Sequence, residues 1–264
     1  MATSGSRPFA VVTGASRGIG LELARQFAEH GFDLVIAAED GAINTAAQEL
    51  ANGASVEAVQ LDLATEQGLE ELYGHIRRSG RQLDAVALNA GIGAGGEFAG
   101  GTDLAQELKL VDLNVRSTVH LAKYVVRDMV SQGSGRILFT SSIASTMPGP
   151  FHPVYNASKS FVQSFALALR NELKDTGVTV TALTPGPTDT EFFERADLLD
   201  TKLGTGYKDD PADVARDGFE ALMDGDERVI SHSIKTKAQA RSGRVTPDSV
   251  KAEMHRKLTE PGSA

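Results

Sequence analysis

Short runs rich in apolar and β-branched residues recur along the chain at FAVVT (9–13), DLVIAA (33–38), SVEAVQL (55–61), LDAVAL (83–88), RILFTS (136–141) and VTVTAL (178–183). Long segments with helical spacing separate them. That separation excludes hairpins, so the strands must run parallel, each joined to the next by a right-handed helical crossover. Parallel strands are covered on both faces, which explains runs that are apolar throughout rather than alternating. The rhythm therefore predicts an α/β fold, a doubly wound parallel sheet with helices on both faces, and RVIS (228–231) is a candidate for one more strand. No long Pro- or Ser-rich linker divides the 264 residues, so 1–264 is expected to be one domain.

In the segment after FAVVT, Ile19, Leu23, Ala24, Phe27 and Ala28 repeat at three and four, which predicts one apolar stripe facing the sheet and a helix that ends at His30-Gly31. From Asp103 to Val130 the spacing of Leu104, Leu108, Val111, Val115, Val119, Ala122 and Val126 predicts a long helix capped by Thr102 or Asp103. The C-terminal tail, about 236–264, is polar. Its short stripe of Val250, Met254 and Leu258 is a candidate closing or docking helix.

TGASRGIG, with Gly14, Gly18 and Gly20, falls between the first strand and the first helix. A tight glycine turn that opens a helix lets backbone amides approach a pyrophosphate, and the positive end of the helix dipole favours its charge. In this topology ligands lie at the carboxyl ends of the strands, and polar or small residues recur there: Asp62-Leu63 for an adenine edge, Asn89-Ala90-Gly91, Ser141 and Ser142, and Pro185-Gly186. Ser16, Arg17 and Ile19 belong to the same turn.

Tyr155 and Lys159 stand four apart in VYNASKSFV and share a helix face. A free phenol, with a pKa of roughly 10, is a poor base near neutrality; a nearby cation stabilises the phenolate and lowers that value. Lys159 supplies such a charge, as does an oxidised nicotinamide. Tyr155 can then exchange a proton with an alcohol or carbonyl oxygen while hydride leaves or reaches its carbon. Ser142, upstream at a strand exit, can bond the reacting oxygen. Asn114 interrupts the apolar pattern of the long helix; once buried it needs partners, and a water linking it to Lys159 is one expectation.

TGASRGIG, NAG at 89–91, Asn114, the serine pair at 141 and 142, YNASK and PG at 185–186, in this order and spacing, resemble the short-chain dehydrogenase/reductase family over residues 8 to about 191. The resemblance implies a single Rossmann-type domain, hydride exchange with a nicotinamide cofactor, and a catalytic set of Asn114, Ser142, Tyr155 and Lys159. It also implies that Ser142 rather than Ser141 polarises the carbonyl and that Lys159 holds the nicotinamide ribose. Thr188 and Thr190 become contacts for the carboxamide. Homodimers or homotetramers through the long helices follow from the same resemblance, and Leu88 departs from the more usual NNAG.

Cofactor choice turns on the end of the second strand. An acid there accepts from the ribose 2′-hydroxyl, whereas bases accommodate a 2′-phosphate. Ala38 stands where NAD users resemble one another in carrying Asp, Glu39 follows, and Arg17 occupies a position often basic in NADP users. NADP(H) is the expectation and NAD(H) the alternative. Loops at about 92–102, 143–154 and 187–207, the last the candidate substrate loop, carry Ile92, Ile143, Met147, Phe151, Val154, Phe192, Phe193, Leu198 and Leu199. They point to a small hydrophobic ketone or secondary alcohol as substrate. Five glycines, Gly93, Gly95, Gly96, Gly100 and Gly101, are expected to leave the first of these loops free to move.

The net charge of −9, with no basic run, argues against nucleic acid, and the absence of cysteine excludes thiolate chemistry and fits a reducing cytoplasm. No signal peptide or membrane span is recognisable, so a cytoplasmic protein without membrane contact is expected. His30, His75, His120, His152, His232 and His255 show no ligand spacing, and no metal is expected; His152, just before Tyr155, is either a substrate contact or, as the favoured reading, a solvent-exposed loop residue. The leading function is an NADP(H)-dependent carbonyl reductase or alcohol dehydrogenase. Two alternatives are an NAD(H)-dependent alcohol or hydroxysteroid-like dehydrogenase and a non-catalytic dinucleotide-binding regulator on the same fold.

Overall fold

The computed structural model describes residues 7–230 and 246–264. Strands β1 (Phe9–Thr13), β2 (Asp33–Ala38), β3 (Val56–Gln60), β4 (Ala85–Leu88), β5 (Gly135–Thr140), β6 (Val178–Thr184) and β7 (Arg228–Ile230) form one sheet. Their order is β3-β2-β1-β4-β5-β6-β7 and every neighbouring pair is parallel. RVIS thus supplies a strand up to Ile230, and Ser231 lies outside the described residues.

Both faces are buried, as the unbroken apolar runs require. Val11, Val35, Val86 and Ile137 point to a layer holding helix α3 (Glu66–Arg78) and the long helix. Val12, Ile36, Ala87 and Leu138 point to the opposite layer, where α1 (Gly18–Glu29) and α2 (Ala42–Leu50) pack. The strand order reverses between β1 and β4, which opens a crevice at their carboxyl ends.

The long helix has an internal irregularity. It consists of α4 (Leu104–Val111), a π-helical turn (Asp112–Arg116) and α5 (Ser117–Gln132), capped by the Asp103 carboxylate on the Ala105 amide. Leu110, Leu113, Leu121, Val125 and Met129 face the core. Of the residues whose spacing predicts this helix, Leu104 and Leu108 are 70% and 54% exposed, and Val111 and Val119 are also exposed. The helix therefore carries two apolar faces, and spacing alone does not say which one meets the sheet.

The remaining helices are α6 (Pro153–Glu172), α7 (Phe192–Arg195), α8 (Lys202–Thr205), α9 (Pro211–Asp224), which packs beside α1 through Phe219 on Phe27, and α10 (Asp248–Thr259). Residues 231–245 of the tail, His232 among them, lie outside the described residues. The C-terminal α10 docks through buried His255 and Thr259, while Val250, Met254 and Leu258 stay exposed, so its docking face is the polar one and not the apolar stripe. Among the described residues no helix is long and apolar enough to cross a membrane.

Candidate active site

The turn between β1 and α1 takes a shape open only to glycine. Gly14 and Gly18 have φ of +67° and +56°, and a Cβ on Gly20 would stand 2.0 Å from the Gly14 carbonyl oxygen. Arg17, at the N-cap of α1, makes no side-chain capping bond, so the first-turn amides remain for a ligand. Asn89 braces the turn from behind: its Nδ2 donates to the Thr13 carbonyl at 3.1 Å, and the Thr13 hydroxyl accepts from the Asn89 and Ala90 amides at 3.0 and 3.1 Å.

Every residue expected at the cofactor lines one crevice of about 530 Å³. It runs from the glycine turn past Ala38, Glu39, Asp62 and Leu63 to Asn89, Ala90 and Gly91, then to Tyr155, Lys159, Pro185, Gly186, Thr188 and Thr190. A strand-end groove with a glycine cradle and uncapped amides fits a nicotinamide dinucleotide.

At the β2 end of the crevice three cations meet three carboxylates. Arg17 pairs with Asp40 at 2.9 Å and also with Glu191; Glu39 pairs with Lys109 at 2.9 Å and Arg195 at 3.0 Å. The bond to Glu191 raises the Arg17 pKa, and the bond to Glu39 raises that of Lys109. Sequence reasoning missed Asp40, Lys109, Glu191 and Arg195. Asp40 was within reach, directly after Glu39, but the other three come from distant elements with no local signal.

Tyr155 and Lys159 occupy successive turns at the start of α6. The Lys159 ammonium donates to the Thr140 carbonyl at 2.9 Å and lies 5.8 Å from the centre of the Tyr155 ring. Burial pushes Lys159 down to about 8. Burial also pushes Tyr155 up to about 12, with its hydrogen bond to Ser142 pulling the other way. The sequence argument expected a phenol made acidic by the ammonium. In the protein alone, loss of hydration outweighs that attraction, because the ammonium bonds Thr140 and not the phenolate.

Ser142 accepts from the Ala144 amide at 3.1 Å, which leaves its own proton for the phenol or a substrate oxygen. Ser141, by contrast, is an anchor: its hydroxyl donates to the Lys159 carbonyl at 3.0 Å. Asn114 sits in the π-helical turn behind the crevice and finds its partners in the protein. Its Oδ1 accepts from the Ile92 amide at 2.9 Å, and its Nδ2 donates to the Ile92 carbonyl at 2.9 Å and to Ser158 Oγ at 3.0 Å. Asn114 and Lys159 nevertheless converge, because a Cβ on Gly91 would meet Asn114 Oδ1 at 3.1 Å and Lys159 Nζ at 3.3 Å.

Beyond Tyr155 the wall is apolar, with Ile92, Ile143, Met147, Phe192 and Phe193 along the crevice. Leu199 is exposed, and Leu198 packs with Phe193 and Ala196 in a small buried cluster. Glycines of the 92–102 loop serve close packing, contrary to the expected freedom: a Cβ on Gly93 would stand 2.6 Å from the Phe192 ring, and the Gly95 amide donates to the Ala196 carbonyl at 2.7 Å. His152 corrects a further expectation. It is 2% exposed, and its ring stacks on Tyr155 at 4.7 Å. His255 and Leu258 of α10 complete this wall, brought by a helix far away in the chain.

Comparison with known proteins agrees with this geometry. The family model described as short chain dehydrogenase matches residues 8–198. Sulfoacetaldehyde reductase 2 of Chromohalobacter salexigens is 32% identical over 184 residues, covering 69% of this chain and 73% of that protein. A short-chain dehydrogenase from Sphingobium yanoikuyae, solved in complex with NADPH, superposes with a TM-score of 0.80 at 28% identity, covering 90% of this chain and 93% of that one. The bulky-bulky ketone specific alcohol dehydrogenase from Comamonas testosteroni superposes with a TM-score of 0.76 at 26% identity, covering 90% and 92%.

Proposed function

The chain belongs to the short-chain dehydrogenase/reductase family and is an oxidoreductase; from that premise we propose that it interconverts hydrophobic ketones and secondary alcohols, with NADP(H) as its preferred cofactor. The observation that carries the reading is the convergence of Ser142, Tyr155 and Lys159 at one end of the glycine-turn crevice, beside an apolar wall.

Bound there, the nicotinamide supplies hydride to a carbonyl carbon or accepts it from an alcohol. The turn amides would hold the pyrophosphate, Asp62 and Leu63 the adenine, Lys159 the ribose hydroxyls, and Thr188 and Thr190 the carboxamide, all of them residues that line the crevice. Reduction of a ketone consumes one hydride and one proton and forms a C–H and an O–H bond. The protonated Tyr155 is the acid that delivers the proton, and Ser142 donates a hydrogen bond to the oxygen as charge develops on it. With its phenol held near 12, the protein alone is poised as an acid, the state reduction needs. Asn114 keeps Ile92, and with it the wall of the site, in place.

Support for NADP(H) comes from Arg17, Lys109 and Arg195 around the β2 end of the crevice, from the missing carboxylate at Ala38, and from the relative solved with NADPH. Glu39 favours a second reading, NAD(H), because a carboxylate lining the β2 end of the crevice can accept from a ribose 2′-hydroxyl. We place the enzyme in the cytoplasm, in keeping with its lack of cysteine. We also propose a homodimer or homotetramer, supported by the apolar residues that α4 and α5 turn outward.

The test is a panel of hydrophobic ketones assayed with NADPH and NADH, with wild type and Tyr155→Phe side by side. Wild type should oxidise NADPH in the presence of ketone. The variant should bind NADPH as before while turnover falls at least about 100-fold; comparable turnover would remove the proposed acid.

A further inference from the structure

Resting on the proposed ketone reduction, we propose that His152 is a specificity residue: its Nε2 hydrogen-bonds a second, uncharged oxygen of the substrate, so the preferred substrates are ketones with a hydroxyl or carbonyl close to the reacting carbon. The imidazole is 2% exposed, lines the crevice, and stacks on Tyr155 with ring centres 4.7 Å apart. Its Nε2 is buried without a hydrogen-bond partner. Buried ring nitrogens are ordinarily paired, so an orphan beside the reacting tyrosine points to a partner that arrives with the substrate.

The surroundings hold the ring in that position. Phe151, just before it, adopts a left-handed φ of 60°, its carbonyl accepts from the Gly96 amide at 2.9 Å, and Arg256 lies 5.0 Å over its ring. Phe192 packs against both Tyr155 at 5.1 Å and His152 at 6.4 Å. The molecule that takes its place beside the phenol therefore meets the imidazole as well.

An uncharged group is specified by what faces this ring. Among the described residues its charged or titratable neighbours are Tyr155 and His255, and no carboxylate is paired with it. His255 has neighbours of its own: its Nε2 meets Asn156 Nδ2 at 3.3 Å and its Nδ1 meets Thr259 Oγ1 at 3.2 Å. Buried with no carboxylate paired to it, the His152 ring keeps its neutral form, which supplies no positive charge for a carboxylate or sulfonate.

Two matched pairs test this, benzoin against deoxybenzoin and acetoin against butanone, each assayed with wild type, His152→Phe and His152→Gln. Wild type should prefer the hydroxyketone of at least one pair by about tenfold or more in kcat/KM. His152→Phe keeps an aromatic ring on Tyr155 and should erase that preference, whereas His152→Gln keeps a hydrogen-bonding end and should retain part of it. Equal efficiency of wild type on both members of each pair overturns this inference and leaves ketone reduction standing, as does a preference that survives in His152→Phe. No turnover of any ketone overturns both together.

Discussion

Two side chains at the reacting end, Lys159 and His152, are held away from their ordinary protonation behaviour by burial, and each has a measurable consequence. Lys159, pushed down to about 8, loses its charge as pH rises past that value. If its ammonium is needed for cofactor and proton handling, kcat/KM for ketone reduction should fall with an apparent pKa near 8, read from a pH–rate profile; a profile flat to pH 10 would contradict the role. His152 behaves differently. Its ordinary value of 6.5 is pushed down to about 3, by burial first and by His255 second. The unfolded chain therefore takes up a proton below about 6.5 that the folded protein refuses until about 3, so stability is lost as pH falls through that window, by about 1.4 kcal/mol per pH unit. Urea denaturation of wild type and His152→Phe at neutral pH and at pH 5 should show the gap closing in favour of the variant as pH falls. Glu39 decides cofactor preference at the same scale: Glu39→Arg removes the carboxylate that occupies Lys109 and Arg195, and should shift the NADPH to NADH ratio of kcat/KM upward by about tenfold or more.

The π-helical turn and the 187–207 loop are the elements that shape the walls of the crevice. Ser117 and Thr118 donate to the Leu113 and Asn114 carbonyls within this irregular stretch, so the polar interruptions of the long helix are bonded where the ladder changes pitch. Asn114→Ala leaves both Ile92 backbone groups without their partner and should cost about 3 kcal/mol in denaturant unfolding, with activity reduced as well. The 187–207 loop packs against the 92–102 loop so closely that Gly93→Ala forces Phe192 to move. Because the obstructing atoms are the far end of a side chain, the expected result is a KM for ketone raised by a few-fold with Tm changed by only a few degrees. An unchanged KM would mean that Phe192 does not border the substrate.

At the scale of the whole molecule, α4 and α5 turn large apolar side chains outward. Leu104 and Leu108 are 70% and 54% exposed, and Phe161 on α6 is exposed as well. In the proposed oligomer these side chains meet a second copy of the chain, so wild type should elute as a dimer or tetramer in light-scattering chromatography and Leu108→Asp as a smaller species. By itself the sequence supplied the strands and their parallel direction, the glycine turn, the strand exits and the candidate set of Ser142, Tyr155 and Lys159, because these depend on local periodicity and short spacings; the order of the strands in the sheet came from the structure. Only the tertiary structure decided which face of the long helix meets the sheet, that Asp40, Lys109, Glu191 and Arg195 meet around the cofactor groove, and that His152 lies buried against Tyr155 beneath a helix from the other end of the chain. Burial and ion pairing between distant segments are properties of packing, and packing brings together residues that no spacing along the chain relates.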